Sequence, residues 1–140
     1  MMMIDSIPAP VVTPLGPVRE KLTIRLTSFG VKNNIPWPPA DLYLDCRGVA
    51  NPMHAIGLNG TGDDPGVQKW VEIHCDMMGF HHTVYSALIR LTTRRGAGKE
   101  FEKPFNIVCM CAHGIHRSRS MKHILGRWLV EQKFQLVEVK

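Results

Sequence analysis

The chain predicts an α/β domain, a single domain with a mostly parallel sheet and flanking helices, and three stretches carry that expectation. From Leu22, Ile24 and Leu26 alternate with Thr23, Arg25 and Thr27; residues 105–111 (FNIVCMC) form a continuous apolar run; and Met121, Ile124, Leu125, Trp128 and Leu129 recur at helical spacing. The first pattern suits a strand with one covered face, the second a central strand covered on both, and the third the helix that covers it. At 140 residues the chain is long enough for one core and too short for two.

The elements follow in order. Residues 1–18 contain Pro8, Pro10, Pro14 and Pro17, which fix φ and remove backbone donors, so this segment is read as a flexible proline-rich arm and residues 19–140 as the domain. The first strand ends at Gly30, and IPWPPA (35–40) forces a non-helical loop before a short strand, DLYLDC (41–46). In TGDDPGVQKW, Asp63 or Asp64 ahead of Pro65 marks a helix start, because an aspartate accepts free backbone N–H groups and proline is tolerated in the first turn. Val67, Trp70, Val71 and Met78 mark its apolar face. Gly79 is expected to break or bend the segment, with Phe80, Val84, Ala87, Leu88 and Leu91 continuing it. A solvated connection (92–103) leads to the 105–111 strand, a helix over Ser118–Glu131 and a last strand in FQLVEV. Sheets of this order place ligands in loops beyond the strands' carboxyl ends.

Seventeen Lys and Arg against twelve Asp and Glu give a net charge of +5, which favours an anionic partner such as a phosphorylated metabolite or nucleic acid. No run reaches the length of a membrane-spanning helix, and MMMIDSIPAP lacks the basic start and apolar stretch of a signal peptide. The expectation is a cytoplasmic chain with no membrane partner, whose Cys46, Cys75, Cys109 and Cys111 are reduced thiols.

CMCAHGIHRS (109–118) lies between the third strand and the last helix. A turn there directs backbone N–H groups at one point, and the helix dipole adds partial positive charge. Cys111, followed at six residues by Arg117 and then Ser118, is the arrangement of cysteine-dependent phosphatases: thiolate nucleophile, guanidinium clamp and a hydroxyl that assists the second step. Asp45 or Asp64 would be the general acid. The plain alternative is a buried strand end. A metal is not expected: Cys109, Cys111, His113 and His116 lack paired C-x2-C spacing. No cofactor is called for.

The wider sequence resembles the C-terminal domain family of the RNase adapter protein RapZ. Ser28, Phe29, Gly30, Lys32, Pro36, Ala40, Asp41, Asp45, Arg47, Asn51 and Pro52 fall in that family's order. Thr61, Gly62, Asp64 and Val67 resemble its helix start, and Cys111, Gly114, His116, Arg117 and Ser118 its G-C-T-G-G-x-H-R-S-V loop. The resemblance implies an α/β fold and a pocket for a phosphorylated ligand, an amino-sugar phosphate (glucosamine-6-phosphate) or a nucleotide-like anion. It also implies RNA binding and an adapter role that presents RNA to a ribonuclease. The chain departs from the family at Met110, Ala112 and His113, where the family has Gly, Thr and Gly, and at Gly48, Ala50 and Met53, with His54 one place late. It has no G-x4-G-K-[ST] loop, so ATP hydrolysis does not carry over.

The expected ligand site therefore comprises Cys111, Ala112, His113, Gly114, Ile115, His116, Arg117 and Ser118, faced by Asp45, Arg47 and Asn51, with Arg47 and Arg117 sharing an anion's oxygens. Gly60, Thr61 and Gly62 are weighed as a second backbone cradle against a plain loop. Arg119, Lys122, His123 and Arg127 are placed opposite the last helix's core stripe, a basic strip for RNA phosphates or an ordinary solvated face; Arg90, Arg94, Arg95 and Lys99 form a second cluster. The expected partners are a phosphorylated small molecule, and RNA with a ribonuclease; self-association is left open.

Overall fold

The computed structural model describes residues 15–16, 18–52, 60–95, 101 and 103–140, with side chains to residue 93 in the second of the longer helices. Residues 1–14 and Pro17 of the proline-rich segment 1–18, Met53 and His54, the side chains of Arg94 and Arg95, and Lys99 lie outside the described residues. A short helix α1 (Val18–Lys21) leads into strand β1 (Thr23–Gly30), a 3-10 turn (Val31–Asn33) and strand β2 (Leu42–Asp45). Helices α2 (Pro65–Ile73) and α3 (Met77–Arg95), strand β3 (Phe105–Cys111), helix α4 (Arg117–Glu131) and strand β4 (Leu136–Val139) follow.

The four strands form one sheet in the order β2-β3-β1-β4, with every pairing parallel. Ile24, Leu26, Leu44, Ile107, Cys109 and Cys111 join the main core with Val71, Val84 and Leu88 of α2 and α3 and Met121, Ile124, Leu125 and Leu129 of α4. Phe29, Val108 and Met110, on the alternate positions, form a small second cluster closed by Val31 and Ala40. The two sides of the sheet are thus covered unequally, one by helices and the other by the 31–41 loop. Trp37 of that loop packs its ring 5.7 Å from those of both Phe29 and Tyr43. The main core also reaches back to Leu15 and Val18, both buried.

The break between α2 and α3 falls at His74–Asp76 and not at Gly79, which lies inside the first turn of α3. The reason is a cap: Asp76 Oδ1 accepts the Gly79 amide at 3.1 Å, so the aspartate starts a new helix three residues before the glycine. Met78, placed on the apolar face by its spacing, is exposed as a result. At the start of α2, Asp64 is the cap, accepting the Gly66 amide at 2.8 Å with Pro65 in the first turn. Asp41 fixes where β2 begins, exchanging two bonds with Asn106 of β3: its amide donates to the Asn106 carbonyl at 2.9 Å, and its Oδ2 accepts the Asn106 amide at 2.8 Å.

Candidate functional site

β3 delivers Cys111 to the carboxyl edge of the sheet, and six residues later α4 begins without a side-chain cap. The Cys111 sulfur takes that place. Its thiol donates to the Ser118 hydroxyl oxygen at 3.1 Å, its sulfur accepts the Gly114 amide at 3.2 Å, and the Ser118 amide also points at it. Burial pushes the Cys111 thiol up, but the Ser118 hydroxyl, the Ser118 and Gly114 amides and the Arg117 charge outweigh burial and hold it below its ordinary value. The other perturbed thiols move the opposite way. Cys46 is pushed up by the adjacent Cys109 thiol and by burial, and Cys75 is pushed up to about 11 chiefly by burial.

The loop between Cys111 and Ser118 is held from outside by its carbonyls. The Ala112 carbonyl accepts the Lys32 amide at 2.8 Å, His113 accepts Asn33 Nδ2 at 3.2 Å, Ile115 accepts the Gly62 amide at 2.8 Å, and His116 accepts the Ser120 amide at 2.9 Å. Because a trans peptide points its N–H opposite to its C=O, the amides of His113, Gly114, His116 and Arg117 turn away from those partners. Gly114 bears this out, its amide meeting Cys111. Gly114 sits at φ +73°, and a Cβ there would lie 2.8 Å from the Gly30 nitrogen, so only glycine fits where the loop crosses the end of β1.

Asp45, Arg47 and Arg117 are brought together, but in pairings the residue order does not reveal. Arg47 forms a two-point contact with Asp45, Nε to Oδ1 at 3.0 Å and Nη2 to Oδ2 at 2.8 Å. That contact, with the Arg117 charge as a smaller contribution, holds the Asp45 carboxyl below its usual value. Arg117 Nη1 donates to the Arg47 carbonyl at 2.8 Å and reaches the Val49 carbonyl at 3.5 Å, binding the loop after β2 to the start of α4. Asn51 lies at the end of the described part of that loop. Of the remaining loop side chains, Ala112 is half-buried, His113 and Ile115 are exposed, and His116 Nε2 donates to the Gly60 carbonyl at 2.9 Å.

Residues 60–64 brace α4 rather than forming a second cradle. The Gly62 amide is spent on Ile115, its carbonyl accepts Gln68 Nε2 at 2.9 Å, and a Cβ on Gly62 would come within 2.6 Å of the His116 carbonyl oxygen. The cations of α4 are similarly engaged. Arg119 Nη1 meets Asp63 Oδ2 at 3.4 Å, His123 Nε2 meets Asp63 Oδ1 at 2.8 Å, and Arg127 Nη1 donates to Gln68 Oε1 at 2.7 Å. Lys122 is buried, not on an outer face, and its ammonium donates to the Lys140 main-chain oxygen at 2.6 Å. Asn33 and Gln68 carry no signal in the sequence as parts of the site; Lys32 carries one through its place in the S-F-G-x-K block, and Gly62 through the T-G-x-D block. Among the described residues no group of three or more His, Cys, Asp or Glu could hold a metal, and no helix is long and apolar enough to cross a membrane.

An all-parallel sheet with a strand–loop–helix turn closing on a cysteine defines an α/β domain whose distinctive chemistry is gathered at the carboxyl edge of its central strand. A family model described as the RapZ C-terminal domain matches residues 22–140, and the chain belongs to that family. It is 35% identical over 114 residues to a nucleotide-binding protein of Rhodospirillum rubrum, covering 81% of this chain and 35% of that protein. It is likewise 35% identical over 111 residues to a nucleotide-binding protein of Rubrobacter xylanophilus, covering 78% and 35%. A nucleotide-binding protein of Thiobacillus denitrificans is 42% identical over 65 residues, 46% of this chain and 23% of that protein. The chain thus spans about a third or less of the length of these curated relatives.

Proposed function

We propose that this chain is a binding and adapter domain that receives the phosphate of a small phosphorylated molecule, an amino-sugar phosphate or a nucleotide, in the loop between Cys111 and Ser118. The observation that carries the reading is the outward fixing of the Ala112, His113 and Ile115 carbonyls, which turns the His113 and His116 amides away from those partners, beside the Gly114 amide that meets Cys111, ahead of a helix N-terminus. A nucleotide is supported by the names of the relatives. The adapter role toward RNA and a ribonuclease rests on the family, because contact through α4 would require Arg119, His123 and Arg127 to leave Asp63 and Gln68.

The lowered Cys111 thiol, with Ser118 beside it, favours one rival reading, a cysteine-dependent phosphatase. Its weak point is the general acid. Asp45 is held below its usual value by Arg47, so it is not poised to protonate a leaving group, and Asp64 is engaged as the cap of α2, its Oδ1 accepting the Gly66 amide.

Thermal unfolding tests the binding reading with inorganic phosphate, glucosamine-6-phosphate and a nucleoside monophosphate as probes. A ligand at ten times its Kd raises stability by about 1.4 kcal/mol, and the shift is expected to shrink in Arg117→Ala, whose loop is no longer fixed to residues 47 and 49. Unchanged melting with all three probes refutes the reading. Turnover of an aryl phosphate that is lost in Cys111→Ser would transfer the conclusion to the enzyme.

A further inference from the structure

We propose that Cys111 and Cys46 form an oxidant-sensitive thiol pair, in which a hydroperoxide oxidises Cys111 and Cys46 then closes a disulfide between the ends of β3 and β2. The pair follows from the sheet; only its effect on ligand rests on the phosphate-binding reading above. Leu44 stands opposite Cys109 and Asp45 opposite Met110 in the parallel β2–β3 ladder. The Cys46 amide donates to the Met110 carbonyl at 2.7 Å, the next rung, which puts Cys46 opposite Cys111. Both side chains belong to the helix-covered core. Adjacent strands lie about 4.8 Å apart, inside the ~4.4–6.8 Å between Cα atoms that a disulfide spans. Cys109 faces the same core and its thiol neighbours that of Cys46, but its backbone stands opposite Leu44, two residues before Cys46, and the ~6.6 Å rise that separates it from Cys111 sits at the far limit of that range.

The surroundings of Cys111 suit the first step. Its sulfur accepts the Gly114 amide and lies 3.1 Å from the Ser118 hydroxyl, which turns to donate once the proton leaves, and both favour the thiolate, the nucleophilic form. Cys111 is itself 2% exposed, and the oxidant reaches it past the loop 112–116, whose Gly114 amide meets the sulfur and whose Ile115 is 40% exposed. The Cys111 thiolate attacks one peroxide oxygen; an S–O bond forms, the O–O bond breaks, and hydroxide (alkoxide from an alkyl peroxide) departs and is protonated. The product is the sulfenic acid. The Cys46 sulfur then attacks the Cys111 sulfur; an S–S bond forms, the S–O bond breaks, and the departing hydroxide leaves as water with the Cys46 thiol proton. One peroxide is reduced and two thiols become one disulfide.

In its thiolate form Cys111 occupies the Gly114 amide and the Ser118 hydroxyl and sets a negative charge at the base of the loop. The disulfide draws the sulfur toward β2, frees both donors and removes the charge. The oxidised chain is therefore expected to bind inorganic phosphate roughly tenfold more tightly, the scale of one charge-assisted hydrogen bond.

The test treats the intact reduced chain with hydrogen peroxide, blocks remaining thiols with N-ethylmaleimide and maps the cysteines by peptide mass spectrometry. The expected result is a Cys46–Cys111 disulfide that dithiothreitol reverses and that survives Cys109→Ser. In Cys46→Ser, Cys111 is expected to be trapped by dimedone as the sulfenic acid; Cys46→Ala replaces that variant if serine at this buried position prevents folding. A disulfide from Cys46 to Cys109, or from Cys111 to Cys109 or Cys75, or Cys111 recovered as a free thiol, overturns the proposal. Phosphate binding by both redox forms is measured in parallel. A cross-link in a chain that binds no phosphate upholds the thiol pair and removes the binding reading, whereas phosphate binding without a cross-link does the reverse.

Discussion

Replacing Gly114 by alanine puts the loop geometry to a direct thermodynamic test. At φ +73° a side chain is opposed by its own backbone, at a cost of about 1–2 kcal/mol. The new Cβ would also stand 2.8 Å from the Gly30 nitrogen and 3.1 Å from the Gly30 Cα and the Phe29 carbonyl carbon. All three are main-chain atoms of the strand at the centre of the sheet, which cannot rotate aside as a side chain would, so overpacking adds ~1–3 kcal/mol. The sum is about 2–5 kcal/mol, which lowers the melting midpoint of a domain of this size by roughly 6–20 °C. Circular dichroism melts and urea titrations measure it, and Gly48→Ala is the control, since a Cβ there meets nothing within 4 Å. The argument is refuted if Gly114→Ala unfolds within ~0.5 kcal/mol of the parent, or if Gly48→Ala is as damaging.

Further outcomes concern the charges around the loop. Cys111 is held below its usual thiol value, so its folded form gains stability as pH rises through the lowered value, and the gain is complete above the unfolded value near 8.5. Melts of the parent and Cys111→Ser from pH 6.5 to 9.5 are expected to diverge in the parent's favour with rising pH; parallel curves would contradict the thiolate environment. Arg117→Ala removes the donor to the Arg47 and Val49 carbonyls and is expected to cost about 1–2 kcal/mol, with faster hydrogen exchange in residues 47–51 as the local readout. Asp63→Asn releases His123 and Arg119 from one exposed carboxylate and is expected to cost roughly 0.5–1 kcal/mol, less at 1 M salt. Because His123 chiefly holds the Asp63 carboxyl low, that contribution is present above the ordinary carboxylate value and is lost as pH falls through the lowered one. Acid titration of the parent and Asp63→Asn locates it.

The parts of the fold that the sequence makes legible are those with a short-range cause. The alternation before Gly30, the apolar 105–111 run and the 121–129 stripe each report one face of one element, and the Asp64–Pro65 start reports a local cap. Cys111, Gly114 and Ser118 were legible together because a strand end and a helix start separated by five residues must converge. Partners distant in the chain were not. Arg117 reads as a phosphate clamp from its spacing to Cys111, yet it meets carbonyls 70 and 68 residues earlier. The basic strip on α4 reads as solvated because nothing local shows that Asp63 and Gln68 return to meet it. Gly79 reads as the helix break because glycine is the stronger punctuation mark, whereas the deciding interaction is the Asp76 carboxylate three residues before it.

The strand order has a consequence in time. β1 lies inside the sheet, with Ile24 opposite Phe105 and Thr23 opposite Leu136, so this strand has no described partner until synthesis has passed β3. At ~5–20 residues per second, ribosomal synthesis of the intervening chain leaves Ile24 and Leu26 without their sheet neighbours for on the order of ten seconds. Every rung of this sheet closes a long loop, the condition under which folding is slow. A nascent chain halted before Phe105 therefore presents an unpaired apolar strand to whatever binds such strands in the cell, and ribosome profiling with a chaperone pull-down would place that engagement between the emergence of β1 and the release of β3.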